Sequence, residues 1–165
     1  MMGSYTITRR IAASPERVFR AFTDPTLVAD WMDGSRVTDT TGPLDAAGTS
    51  YTLVIRGPWR FRTRVVRCES PVSHETVGSG PLGSSYRMVA NLNARGEGTE
   101  LEILTEYTVP LGPIGRWMDR RWLEGGPHTT ANREVDRLVE LVSDHGPRAM
   151  QDGGVPAGRV PAQTG

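Results

Sequence analysis

The sequence predicts an α+β fold in which a meander of antiparallel strands is closed by one long helix near the C-terminal end. Three observations carry this. Between Gly34 and Val109 short runs alternate apolar and polar side chains and are separated by Gly/Pro turns. Two helix-start signals stand back to back soon after the first strand, at Ser14-Pro15-Glu16 and at Asp24-Pro25. Beyond Pro113 the apolar spacing changes from that of a strand to that of a helix.

The elements follow in order. Tyr5, Ile7 and Ile11 alternate with Thr6, Thr8 and Arg10, which reads as a half-buried strand. Ser14 then supplies an N-cap, Pro15 the first helical position and Glu16 an acid in the first turn, ahead of the stripe Val18, Phe19 and Phe22. Asp24-Pro25 ends this helix and begins another, because the residue before a proline avoids the α region. Leu27, Val28, Trp31 and Met32 give the second helix its buried side. Tyr51, Leu53 and Ile55 alternate with Thr52 and Arg56, and Trp59, Phe61, Thr63 and Val65 alternate with Arg60, Arg62 and Arg64. A short strand covers His74 to Val77 after the turn at Ser70-Pro71. Tyr86, Met88, Ala90 and Leu92 oppose Arg87, Val89 and Asn91, and a last strand from Thr99 to Val109 sets Leu101, Ile103, Thr105 and Tyr107 against Glu100, Glu102 and Glu106. Gly57-Pro58, Gly80-Pro81 and Gly96-Glu97-Gly98 join these runs so briefly that consecutive strands must be antiparallel.

Ile114, Trp117, Met118 and Trp122 share one helical face. Gly125-Gly126-Pro127 breaks or bends that helix and restarts it, and Val135, Leu138, Val139 and Val142 form its later buried stripe. Residues 145–165 are rich in Gly and Pro without an apolar period and are expected to be a flexible tail, leaving one domain over 4–144.

Composition narrows the function classes. The chain has 165 residues and a formal net charge of zero, from 19 basic and 19 acidic side chains, so no overall field attracts nucleic acid or an anionic membrane. Every basic residue is Arg. The single cysteine, Cys68, excludes an internal disulfide framework and a multi-Cys zinc cage. It falls on the Arg-bearing phase of its strand, where a packed thiol is expected rather than a nucleophile. No run approaches the 18 or so apolar residues of a membrane span, and the N-terminal residues lack the apolar core of a signal peptide, so a cytoplasmic protein is expected. His128 and His145 have no Cys or acid at ligand spacing. No nucleophile elbow, phosphate-cradling loop or His-Glu-x-x-His pattern is present, and no metal or cofactor is expected.

The run Ser14-Pro15-Glu16-Arg17-Val18-Phe19-Arg20-Ala21-Phe22-Thr23-Asp24-Pro25 leads to Trp31-Met32; Pro71 follows a strand, Gly98-Thr99 opens the last strand, and an amphipathic helix ends the domain. In these features the chain resembles the START-like (SRPBCC, Bet v 1-type helix-grip) superfamily, most closely its polyketide cyclase/dehydrase branch. The resemblance implies a curved antiparallel sheet of about seven strands gripping the long helix, with a hydrophobic cavity between them. The chain departs from that pattern at Gly125-Gly126-Pro127, where relatives usually continue the helix.

Alternation turns Tyr51, Trp59, Phe61, Tyr86, Met88 and Tyr107 away from the Arg and Glu stripes, and Trp117 and Trp122 would reach down from the helix. Tyr51, Leu53, Trp59, Phe61, Met88, Ile103, Trp117 and Trp122 are therefore the expected ligand-binding set, since small-molecule pockets are apolar with a few polar groups. Tyr86 and Tyr107 as proton donors, His74 as base and Arg121 for an enolate oxygen are the candidates for chemistry. His74 can face inward or sit exposed at a strand edge. The basic stripe Arg60, Arg62 and Arg64, with Arg56 and Arg67 nearby, is weak evidence for nucleic acid, and none is expected. The superfamily's strand order would instead bring Glu100, Glu102 and Glu106 near Arg10 and Arg87. Three functional readings follow: a carrier of a lipid- or polyketide-like molecule, a cofactor-independent cyclase or dehydratase that closes a poly-β-ketone, and a co-chaperone-like module acting through the Arg face. No residue pattern speaks to oligomeric state.

Overall fold

In the computed structural model, residues 2–32, 34–55, 58–110 and 126–143 are described. Among them, strands β1 (Met2–Ile11), β2 (Ser35–Thr38), β3 (Ser50–Ile55), β4 (Trp59–Glu69), β5 (Ser73–Ser79), β6 (Ser85–Arg95) and β7 (Gly98–Thr108) form one curved antiparallel sheet. Its order is β1-β7-β6-β5-β4-β3-β2. Helices α1 (Pro15–Thr23) and α2 (Pro25–Trp31) follow β1, and α3 (Gly126–Val142) closes the domain, which is the predicted helix-grip arrangement.

The paired helix starts form as the sequence dictates. The Ser14 hydroxyl accepts the Arg17 N–H at 3.4 Å, and Pro15 occupies the first turn. Asp24 serves both helices: its N–H donates to the Arg20 carbonyl at 2.9 Å to end α1, and its carboxylate accepts the Thr26 N–H at 2.9 Å to start α2. The Trp31 indole donates to the Ala21 carbonyl at 2.9 Å and ties the two helices together. Their apolar sides, Val18, Phe19, Phe22 and Trp31, pack with Ile11, Leu92 and Leu101 of the sheet and Val135, Leu138 and Val142 of α3. One end of the inner face is thereby filled.

Register pairing lines up inner-face residues in rows across the strands. Ile7, Ile103, Ala90, His74 and Cys68 form one row. Tyr5, Thr105, Met88, Thr76 and Val65 form the next, and Gly3, Tyr107, Tyr86, Gly78, Thr63 and Tyr51 the one beyond. Cys68 belongs to these rows because the register of β4 against β5 shifts between Val65 and Arg67. The bulge keeps Arg67 outward after Val66 and turns Cys68 inward, against both apolar clusters, so the expected place of Cys68 on the Arg-bearing phase is corrected. Burial raises its thiol pKa, consistent with a packed side chain.

On the outer face the anticipated charge pairing is present in part, Glu102 facing Thr8 and Asn91 instead. Arg10 and Glu100 are register partners, and Arg87 donates to Glu75 at 2.8 Å and to Glu106 at 2.9 Å. Trp117, Trp122, Arg121 and residues 145–165 lie outside the described residues.

Candidate functional site

Where the packed end stops, a cavity of about 390 Å³ opens between the sheet and the helices. Tyr51, Leu53, Ile55 and Phe61 wall it on β3 and β4. His74, Thr76, Tyr86, Met88, Ile103, Thr105, Tyr107, Tyr5 and Ile7 form its floor. Phe22, Val28, Trp31 and Met32 bound it from the first helices, and Thr130, Ala131, Arg133, Glu134 and Val135 from α3.

Glycines explain why this part of the floor is low. Side chains on a strand normally stand roughly perpendicular to the sheet. Here a Cβ at Gly78 would collide with the Tyr86 ring, one at Gly3 with the Tyr107 ring, and one at Gly80 with Phe61. The two tyrosine rings therefore lie across the strands beside their own, and Phe61 over the turn that follows β5, in each case over a backbone that presents no side chain. Tyr86 spans Gly78 completely: its hydroxyl meets the Thr63 hydroxyl on β4 at 2.8 Å, and Thr63 in turn reaches the Phe61 carbonyl at 3.4 Å. Burial pushes the Tyr86 pKa up to about 12, against the opposing effect of its threonine neighbours, so it stays a neutral phenol. Burial raises Tyr51 and Tyr5 as well. With Thr76 and Thr105 these side chains set a band of hydroxyls across an otherwise apolar floor.

His74 is 1% exposed, so it is no strand-edge residue. Its Nε2 lies 2.9 Å from the Leu44 carbonyl oxygen, which can only accept, and this assigns the proton to Nε2. Nδ1 is then a bare lone pair, buried and without a hydrogen-bond partner among the described residues. Phe19 and Phe22 meet the ring at centroid distances of 6.0 and 6.5 Å. Burial lowers the His74 pKa from its ordinary 6.5, with the Leu44 bond and Asp45 opposing, and the imidazole is neutral. Leu44 is itself buried among Tyr51, Leu53, Phe61 and Val65, so the β2–β3 connection is fixed from two directions.

Arg9, on the inner phase of β1, anchors α3 to the sheet. Its guanidinium donates to Asp136 at 3.1 Å and to Asn132 at 2.6 Å. Asn132 caps back onto the His128 carbonyl at 2.8 Å, and the His128 ring meets Tyr5 edge-on at 6.0 Å.

Of the residues expected to bind ligand, Tyr51, Leu53, Phe61, Met88 and Ile103 line the cavity, as do His74, Tyr86 and Tyr107 from the catalytic set. Trp59 has the right phase and is half-buried against the cluster of Tyr51 and Phe61, but it is not part of the cavity lining among the described residues. Trp117, Trp122 and Arg121 fall outside the described residues. Sequence reasoning did not nominate Tyr5, Thr76, Thr105 or Glu134. Thr76 shares a face with His74 two residues away, and that spacing was the available signal. Among the described residues no three His, Cys, Asp or Glu side chains converge as metal ligands, and no helix is long and apolar enough to cross a membrane.

Residues 2–143 match the family described as polyketide cyclase / dehydrase and lipid transport. No curated protein sequence matches the chain. Among solved structures, protein CV1439 from Chromobacterium violaceum superposes with a TM-score of 0.62 at 18% identity, over 84% of this chain and 96% of that one. CalU16 from Micromonospora echinospora gives 0.60 at 20% identity, over 87% and 68%. Truncated norcoclaurine synthase from Thalictrum flavum gives 0.61 at 16% identity, over 88% and 96%. At these identities the likeness is one of fold.

Proposed function

Because the chain belongs to the polyketide cyclase/dehydrase and lipid transport family, we propose that it encloses a largely apolar, oxygen-bearing small molecule of lipid or polyketide type. The observation that carries this is the cavity of about 390 Å³, apolar on its walls and crossed by the hydroxyl band of Tyr51, Tyr86, Thr76, Thr105 and Tyr5. Apolar walls supply affinity, and a few placed hydroxyls fix orientation. A neutral phenol such as Tyr86 can exchange its Thr63 partner for a ligand carbonyl without losing a hydrogen bond, whereas a saturated hydrocarbon offers these hydroxyls nothing. Mass spectrometry of the purified protein, native and after organic extraction, tests this together with thermal shift on a panel of fatty acids and aromatic polyketides. A co-purifying species, or a melting temperature raised by oxygenated members above alkanes of equal size, is expected. Indifference to the whole panel would remove the reading.

Catalysis on that ligand, a cyclisation or dehydration, is supported by His74. Its bare Nδ1 is a base held in one tautomer, and Tyr86 is a proton donor on the same floor. His74 would take a proton from an activated carbon, and Tyr86 or Tyr107 would hydrogen-bond the enolate oxygen. A shaped pocket that restricts conformers supplies the remainder of such a reaction. His74→Gln should abolish turnover of a poly-β-ketone while changing its binding by less than about threefold. Equal loss of both would make His74 a binding residue, and the protein a carrier.

A further inference from the structure

The outer face of the sheet is divided in its charge. On β5, β6 and β7 the basic residues are matched: Arg87 bridges Glu75 and Glu106, and Arg95 lies 3.5 Å from Glu100. On β2, β3 and β4, Arg36, Arg60, Arg62 and Arg64 are all exposed, and none has an acidic partner among the described residues. Register shows why. Arg62 lies between Thr52 and Ser79, Arg64 between Ser50 and Val77, and Arg36 and Arg60 flank Val54. Before the bulge, the outer face of these three strands carries no carboxylate at all. Arg60, Arg62 and Arg64 stand at every second residue of one strand, about 7 Å apart, so each repels the next. A solvated face has no need of such a stripe, because the paired half of the same sheet shows how this chain neutralises guanidiniums when it does so internally.

We infer that this outer face of β2–β4 docks an acidic segment of a partner protein. Its composition favours protein over other polyanions. The stripe runs on into Val66, which is 47% exposed, and Val54 is buried on the same face although it belongs to neither interior cluster. Arginine stems covering aliphatic side chains, with guanidinium forks in water, are a protein-interface pattern, and the forks match carboxylates in paired hydrogen bonds. The face offers no aromatic ring on which a base could stack, and a net charge of zero adds no long-range attraction to nucleic acid. It also offers no aromatic or long aliphatic group to insert into a bilayer. The inner sides of β3 and β4 wall the cavity, so the partner sits behind that wall and leaves the α3 side uncovered. This inference does not depend on the identity of the cavity's ligand.

Fluorescence anisotropy tests it with three probes: a labelled Glu/Asp-rich peptide with interspersed Val and Leu, a single-stranded RNA oligonucleotide, and phosphatidylserine vesicles. The peptide should bind most tightly and weaken with salt. Arg60→Ser/Arg62→Ser/Arg64→Ser should raise its Kd more than about tenfold, and Arg87→Ser less than about twofold. The triple variant should stay folded and melt close to the wild-type temperature, since the repulsion it removes offsets the loss of arginine stems beside Val54. Tighter binding of RNA or vesicles, an unbound peptide, or equal effects of the triple variant and Arg87→Ser would each overturn the inference.

Discussion

The inner face of this sheet carries two unlike halves. Toward the Ile11 end, Leu101, Leu92 and Val18 meet Leu138 and Val142, side chains stand up from the strands, and no space is left. Toward the Gly3 end the same strands carry glycines under tilted rings, threonines replace aliphatic residues, and a cavity opens. Pairing of β1, β7 and β6 is continuous through both, so the hollow above them does not come from broken secondary structure. It comes from what each strand places in successive rows. Stability is concentrated in one half and binding capacity in the other.

The contrast can be broken most forcefully by truncating one aliphatic residue in each half. Leu101→Ala should cost about 3–5 kcal/mol in urea unfolding, because a fully buried leucine leaves a new void. Leu53→Ala enlarges a space that already exists and should cost about 2 kcal/mol. Equal costs would mean that the open half is as well packed as the other. Next in size, Gly78→Ala should destabilise by about 1–3 kcal/mol by driving its methyl into the Tyr86 ring. Adding Tyr86→Ala should then cost less than it does in the wild type, a coupling that a double-mutant cycle reads directly.

His74 sits at the border between the halves and sharpens the comparison through pH. Its folded pKa is depressed, so below about 6.5 the unfolded chain takes a proton that the folded one refuses. Stability contributed by the neutral imidazole is therefore present above 6.5 and declines as pH falls toward the lowered folded value. One proton bounds the slope from this site at about 1.4 kcal/mol per pH unit. His74→Gln should remove that component from a series of melts between neutral pH and the acid side, and an unchanged slope would assign it elsewhere. The smallest effect expected is that of single hydroxyls: Tyr86→Phe should cost about 1 kcal/mol through Thr63. Tyr107→Phe, with no hydrogen bond to lose among the described residues, should stay within about 0.5 kcal/mol.

Much of the architecture was legible because its signals are local. Ser14-Pro15 and Asp24-Pro25 mark helix starts through chemistry confined to a few residues, and both caps form as read. Alternation in β3, β4, β6 and β7 assigned Tyr51, Phe61, Tyr86 and Tyr107 to the face that lines the cavity. What escaped needed long-range facts. The inward turn of Cys68 depends on a bulge that alternation alone cannot register. The burial of His74 depends on a carbonyl thirty residues earlier in the chain, at Leu44. The lie of Tyr86 and Tyr107 requires knowing which glycine stands opposite each ring.

That last arrangement bears on how such a protein can change over generations. Gly78 and Tyr86, like Gly3 and Tyr107, sit on different strands yet share one volume. A larger residue at the glycine is harmful while the ring is in place, and loss of the ring leaves bare backbone until the glycine is filled. Each pair should therefore be inherited and exchanged as a unit, with the order of the two steps constrained. New pocket depths would then arise by swapping pairs between strands, not by drifting one wall residue at a time.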